Sequence, residues 1–179
     1  MNNPYFYLFK QIKKGSLELY SKREELVKQY SWAIPDQTSI DLISKYSPLV
    51  EMGAGGGYWA SLIKQNGGEI LCFDKATKNN QYSEKQWTEI NKGLPKDLIN
   101  YSARTLFLCW PPYEDEMAAQ CLRFFEGRYV IYIGESEGGC TANDHFFNML
   151  RNHFNLIEEH QNPAWQYIHD RIYIYERKS

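Results

Sequence analysis

The sequence predicts an α/β domain built on a parallel, doubly wound sheet, and three observations point there. Short apolar runs without polar alternation recur as LVEM, EILCFD, TLFLCW and RYVIYIG, the texture of strands covered on both faces. Segments of helical period separate them, so strand and helix alternate along the chain. A cluster of glycines, GAGGG, follows the first run directly, where a strand of such a sheet turns into a helix and ligands bind.

The elements follow in order. Residues 1 to 15 show no convincing period. Ser16 is placed to cap a helix through about Tyr30, with Leu19, Leu26, Val27 and Tyr30 on one face. Pro35 suits the start of a second helix that continues an apolar stripe through Ile40, Ile43 and Tyr46 and stops at Pro48. These segments give a helical cap over residues 1–47, and residues 48–179 give the sheet domain as one compact unit.

The first core strand is LVEM, and SLIKQNGG after the glycines reads as helix with a glycine stop. EILCFD is the second strand. Residues 75 to 103 are polar, with a short strand expected at Gln86 to Ile90 and a helix near Lys96 to Tyr101. TLFLCW, halted by Pro111 and Pro112, is a fourth strand, and EDEMAAQCLRFFEG is the helix after it, acids in its first turn and Gly127 at its end. RYVIYIGES is a fifth strand, followed by a helix capped by Thr141. NLIEEH and DRIYIYERK close the sheet at seven strands. Gln161 to Tyr167 is too short for a crossover helix, so the last strand folds back antiparallel.

Composition excludes several classes. With 179 residues, the chain is one domain's worth of protein, able to bury roughly 70% of its unfolded surface. Twenty Lys and Arg against 22 Asp and Glu leave a net charge of −2, too balanced for a stand-alone nucleic-acid binder. No apolar run approaches the ~20 residues that cross a bilayer, so no membrane partner is expected. The start of the sequence does not read as a secretory signal, which makes the expected location cytoplasmic. Cys72, Cys109, Cys121 and Cys140 form no C-x-x-C pair, so no metal is expected and all four read as buried reduced thiols. Aromatics reach 16%, enough to fill a core or to floor a cleft.

The spacing Glu51-Met-Gly53-Ala-Gly55-Gly56-Gly57 carries the most chemistry. Glycines at a strand-to-helix turn permit positive φ and close approach of a ligand to the backbone. A dinucleotide fingerprint beginning at Gly53 requires a small sixth residue, but Tyr58 stands there and counts against a pyrophosphate site and an NAD-dependent oxidoreductase. Asp74 ends the second strand at about the ~20-residue offset at which an acid meets ribose hydroxyls.

In these motifs and in element order from about Leu49 to Tyr175, the sequence resembles the class I S-adenosylmethionine-dependent methyltransferases, with a Rossmann-like fold. The resemblance implies that Gly53, Gly55 and Gly57 wrap the methionine part of the cofactor, Glu51 helps hold its amino group and Asp74 binds the ribose. An adenine partner would be Asn91 or backbone near Lys92 and Gly93. Trp110-Pro111-Pro112-Tyr113 resembles the D/N/S-P-P-Y corner of amine methyltransferases, implying that Trp110 borders the cofactor and that Trp110 and Tyr113 act at the transfer step, with Pro111 and Pro112 against the acceptor. Trp110 departs from that pattern because its side chain is only a donor.

Glu135, after the fifth strand, is the candidate base, with Glu114 and Glu137 less well placed. Cys140 precedes a helix whose amino end could depress its pKa, although a structural thiol is the favoured reading. His169 and Asp170 read as a turn or an ion pair, since adjacent strand residues face opposite ways. Trp32, in the segment before the sheet, is a candidate for the substrate pocket. The expected activity is methyl transfer from S-adenosylmethionine to a small or medium-sized molecule. The alternatives are a catalytically degenerate S-adenosylmethionine-binding module and a nucleic-acid amine methyltransferase.

Overall fold

The computed structural model describes residues 2–13, 18–77 and 80–179. In it seven strands form one sheet: β1 (Leu49–Met52), β2 (Ile70–Asp74), β3 (Asn91–Lys92), β4 (Thr105–Cys109), β5 (Tyr129–Gly134), β6 (Phe154–Gln161) and β7 (Arg171–Arg177). Their order is β3-β2-β1-β4-β5-β7-β6. The first five run parallel, and β7 lies antiparallel between β5 and β6. The expected mostly parallel, seven-stranded architecture with an antiparallel last strand is what forms.

Strand periodicity divides the core into two layers. Leu49, Phe107, Ile131, Ile133, Ile172 and Ile174 face one side, where they meet Tyr5, Leu26, Ile40, Leu62 and Ile63 of the helices α1 (Pro4–Gln11), α2 (Glu18–Gln29), α3 (Gln37–Ser44) and α4 (Tyr58–Gln65). Val50, Met52, Leu106, Leu108, Val130 and Tyr132 face the other, against α5 (Met117–Phe124), α6 (Asp144–His153) and a 3₁₀ turn at Pro95–Tyr101. Covering both faces is what lets continuous apolar runs serve as strands.

Several local expectations are corrected. Residues 1–15 contain helix α1, which Asn3 caps by accepting from the Phe6 N–H. Only Tyr5 of its residues is buried, so no apolar period marks it. The proposed cap Ser16 lies outside the described residues. Asp36 caps α3 through the Ser39 N–H, so Pro35 precedes the helix. The strand expected at Gln86 to Ile90 is replaced by the two-residue β3, paired with Phe73 and Asp74. Asn143, not Thr141, caps α6. The Thr141 hydroxyl is buried 2.5 Å from the Tyr132 Oη, which leaves it no reach to the helix end. The acids Glu114 to Glu116 precede α5 rather than fill its first turn.

An aromatic cluster fastens the N-terminal helices to α4 and to the segment before β3. Tyr5 stacks on Tyr30 at 5.0 Å, Tyr30 on Trp87 at 5.1 Å, and Tyr58 meets all three rings. The polar tips are satisfied: the Trp165 Nε1–H donates to the Tyr5 hydroxyl at 3.1 Å, and the Tyr58 hydroxyl donates to the Asn3 carbonyl oxygen of its amide at 2.8 Å. Such rings contribute both buried area and preferred edge geometry. Replacing Tyr5 by Ala is expected to cost about 3–5 kcal/mol of unfolding free energy, read from denaturant curves. A loss below about 1 kcal/mol would mean that this cluster does not hold the helices.

Candidate functional site

A cavity of about 1160 Å³ opens at the carboxyl ends of β1, β2 and β4. This is the edge at which open α/β sheets bind ligands. Its inner wall is the bend after β1. Gly53, Gly55 and Gly57 take φ of +80°, +55° and +71°, which side chains disfavour, and these values turn the backbone sharply from strand into α4. Gly53 to Gly56 line the cavity. Gly57 does not: it starts α4, and a Cβ there would press on Thr88, so its assignment to the cofactor is corrected to a helix-starting role. At Gly56 a Cβ would run into the Ser83 hydroxyl and the Lys85 carbonyl. Sequence spacing ignored that glycine, whose requirement comes from a strap, Ser83 to Trp87, that lies over it and is absent from any local pattern. The strap is tied down by the Trp87 N–H donating to the Gly56 carbonyl at 2.8 Å and the Trp87 Nε1–H donating to the Gln29 carbonyl at 2.8 Å.

Two carboxyl groups flank the bend. Glu51 is only 3% exposed, and its Oε2 has no hydrogen-bond partner among the described residues. Burial, and then the neighbouring Asp74 charge, push its pKa up to about 8. The Cys72 thiol bonds the carboxyl and opposes this rise, which leaves one buried oxygen on the cavity wall matched to a cationic donor from outside the chain. Asp74 also lines the cavity, and it organises the bend: Oδ2 accepts from the Gly55 N–H and Oδ1 from the Ala76 N–H, both at 2.9 Å. Each oxygen retains further acceptor capacity.

Asn91, expected beside adenine, is exposed in β3 and is not among the residues that line the cavity. The chain turns away after β3, and Gly93, Leu94 and Pro95 form that wall instead. Gly93 has a packing reason, since a Cβ there would lie 2.6 Å from the Phe73 ring.

The opposite wall is aromatic. Trp110 adopts φ +52° at the end of β4, and its ring stacks on Trp32 at 4.8 Å with planes 10° apart. Trp32, Trp110, Pro111, Pro112 and Tyr113 all line the cavity, with Tyr113 61% exposed at its mouth. The Trp110 Nε1–H donates to Asp170 Oδ1 at 2.8 Å, and the Pro111 carbonyl accepts from the Ala142 N–H at 3.1 Å. Asp170 was missed as a site residue because its partner is 60 positions away. Burial, followed by the charge of Glu135, raises its pKa to about 7 against the opposing Trp110 bond and the positive charge of Arg23.

Glu135 is not the cavity's base. It does not line the cavity; its Oε1 accepts from the His169 N–H and its Oε2 from the Cys140 N–H, both at 2.9 Å. Burial alone would raise its pKa, but these bonds outweigh it and keep the pKa below the ordinary value. Glu135 is therefore an ionised brace between two loops. The exposed His169 ring sits beside it, with Nδ1 3.4 Å from Oε1. Glu114 lines the mouth, whereas Glu137 pairs with Arg151 outside it. Cys140 is exposed rather than buried, and burial of its sulfur together with Glu135 raises its pKa to about 11, so the helix end does not activate it. Cys72 and Cys121 are buried, and Cys109 is half-buried on the cavity wall. Among the described residues, no cluster of His, Cys, Asp or Glu could hold a metal ion, and no helix is long and apolar enough to cross a membrane.

No protein-family model and no curated protein matches the sequence. Solved structures do match the fold. The methyltransferase domain of bacterial CtHen1-CN superposes with a TM-score of 0.55 at 9% identity, over 78% of this chain and 96% of that one. TrmN from Thermus thermophilus gives 0.54 at 11% identity, over 79% and 48%. Magnesium protoporphyrin IX methyltransferase from Synechocystis PCC 6803, solved with bound S-adenosylmethionine, gives 0.51 at 12% identity, over 97% and 91%. The chain spans about half the length of TrmN and of a putative methyltransferase from Streptococcus mutans. The fold is that of the class I S-adenosylmethionine-dependent methyltransferases.

Glu51 gives this site a pH signature. Its folded pKa lies above the unfolded one, so its contribution to stability is complete below about pH 4.5 and is lost as pH rises through about 8. Between those limits the unfolding free energy of the parent protein should fall more steeply than that of Glu51→Gln, by up to about 1.4 kcal/mol per pH unit. Parallel curves from urea titrations would place an ordinary, solvated carboxyl at this position.

Proposed function

We propose that the chain is an S-adenosylmethionine-dependent methyltransferase acting on a small or medium-sized acceptor. The observation that carries this reading is the buried, unpartnered Glu51 oxygen on the wall of a cavity bounded by a glycine bend. The residues present suit the cofactor. Glu51 would meet its ammonium group, the glycine bend would border its methionine part, Asp74 would meet its ribose hydroxyls and the Gly93–Pro95 wall its adenine. The cofactor supplies a sulfonium whose methyl group transfers in line without covalent help from the protein.

What this chain's residues contribute is alignment and exclusion of water. Trp110, Pro111, Pro112 and Tyr113 form a stiff corner against the acceptor. The corner favours an acceptor held by its flat body rather than an amine: Trp110 brings no side-chain acceptor, its N–H is used by Asp170, and the Pro111 carbonyl already accepts one bond from Ala142. Solved structures of the same fold include proteins described as acting on tRNA and on a porphyrin, so fold alone does not choose the acceptor. The balanced charge of the sequence favours a small molecule over a nucleic acid.

Calorimetric titration of the full chain tests this reading. S-adenosylmethionine should bind while NAD does not, and Asp74→Ala should weaken binding by ~1–3 kcal/mol through lost hydrogen bonds. Binding of NAD in place of S-adenosylmethionine, or an unchanged affinity in Asp74→Ala, would overturn the assignment of the cofactor or of Asp74 respectively.

A further inference from the structure

On the aromatic wall the Trp110 N–H donates to Asp170 Oδ1 and the Pro111 carbonyl accepts from the Ala142 N–H, while Asp170 Oδ2 is buried with no hydrogen-bond partner among the described residues. Arg23, a half-buried residue of α2, lines the cavity beside this wall and holds its guanidinium 5.6 Å from the centre of the Trp32 ring. The acids on its own helix are taken by lysines: Glu25 pairs with Lys22 at 2.8 Å and Glu24 with Lys28 at 3.0 Å. Asp170 is close enough to feel the charge of Arg23, but its hydrogen bond goes to Trp110, and among the described residues Arg23 forms no ion pair.

The charges in the cavity fall at two ends. Glu51, Asp74 and Lys75 stand at the end formed by the glycine bend and β2, and Arg23 stands at the far aromatic wall. The acids at the mouth are engaged elsewhere: Glu114 with the Tyr113 hydroxyl, Asp115 with the Met117 N–H at 2.8 Å, and Glu116 with Asn143 and His145. A guanidinium lying on a ring keeps its N–H fork free at the edge, in the geometry that takes a carboxylate through two bonds.

We infer that the acceptor is an aromatic molecule bearing a carboxylate, its ring against the Trp32–Trp110 wall and its carboxylate held by Arg23. This rests on reading the cavity as a methyl-transfer site. Arg23 is assigned to binding and orientation of the acceptor, and nothing in the assignment requires the carboxylate itself to receive the methyl group.

Three probes of one shape test it by calorimetry on the full chain, with and without saturating S-adenosylhomocysteine: naphthalene-2-carboxylate, naphthalene-2-carboxamide and 2-naphthylmethylammonium. The carboxylate should bind about tenfold tighter than either of the others, a difference of about 1.4 kcal/mol. Arg23→Gln should erase that preference, and Arg23→Lys should keep part of it, because a point charge lacks the fork. Near-ultraviolet circular dichroism reports whether each variant is folded. Equal or tighter binding of the ammonium probe, a preference that survives Arg23→Gln, or no carboxylate binding at millimolar concentration would each overturn the inference. The two readings fail separately. If S-adenosylhomocysteine does not bind but the carboxylate preference persists, the methyltransferase reading falls and the anion site stands; bound S-adenosylhomocysteine without the preference gives the reverse.

Discussion

A carboxyl group buried at the centre of the sheet edge, one of its oxygens without a bond among the described residues, is the constraint around which the rest is arranged. Alternation along β1 sends Glu51 to the same side as Leu49, under α4, while Val50 and Met52 face the other layer. Burying such a group costs free energy unless it is neutralised or paired. The fold resolves this in part by proton uptake, and Asp74 at the end of β2 pushes in the same direction. An external cation would resolve it fully. The left-handed glycines that follow turn the backbone along the same cavity wall, so a buried, partly unsatisfied carboxyl and the glycine bend share one corner.

The far side of the cavity follows a different principle. There the polar groups bond one another, and the open surface is aromatic. Asp170, at the entry to β7, fixes the Trp110 indole; Ala142 fixes the Pro111 carbonyl; Glu135 joins the two loops that supply these residues. The left-handed φ of Trp110 is strained for a bulky residue and persists because Ile133 of β5 holds its N–H, Asp170 its indole N–H and Trp32 its ring face. A wall of this kind positions a flat molecule without hydrogen-bonding to it, which leaves Arg23 as the group able to read its charge.

Much of the fold was legible because its signal is local and repeated. Apolar runs of five or six residues, each followed by a helical period, specified the central strands, and seven residues between the last two fixed their antiparallel return. The glycine bend and Asp74 were legible from spacing. Features defined by distant contacts were not. Helix α1 buries one residue and so shows no stripe, β3 is two residues long, and Gly56 is required only because a strap some 27 positions on in the chain lies over it. Glu135 was misread because the position after a strand says nothing about which way its carboxyl turns; two backbone N–H groups from separate loops decide that. Asn91 was misplaced by an expected strand that ends elsewhere, and Asp170 and Arg23 became visible only once β7 and α2 were set beside Trp110 and Trp32.

The most direct measurement counts protons. Titration of S-adenosylhomocysteine into the full chain at pH 7, repeated in buffers of different ionisation enthalpy, reports the protons released on binding. With Glu51 held protonated in the empty site and ionised against a bound ammonium group, the release should approach one per molecule and vanish in Glu51→Gln. Binding with no proton release in the parent protein would contradict the account, because the buried carboxyl would then not be the group that receives the ligand.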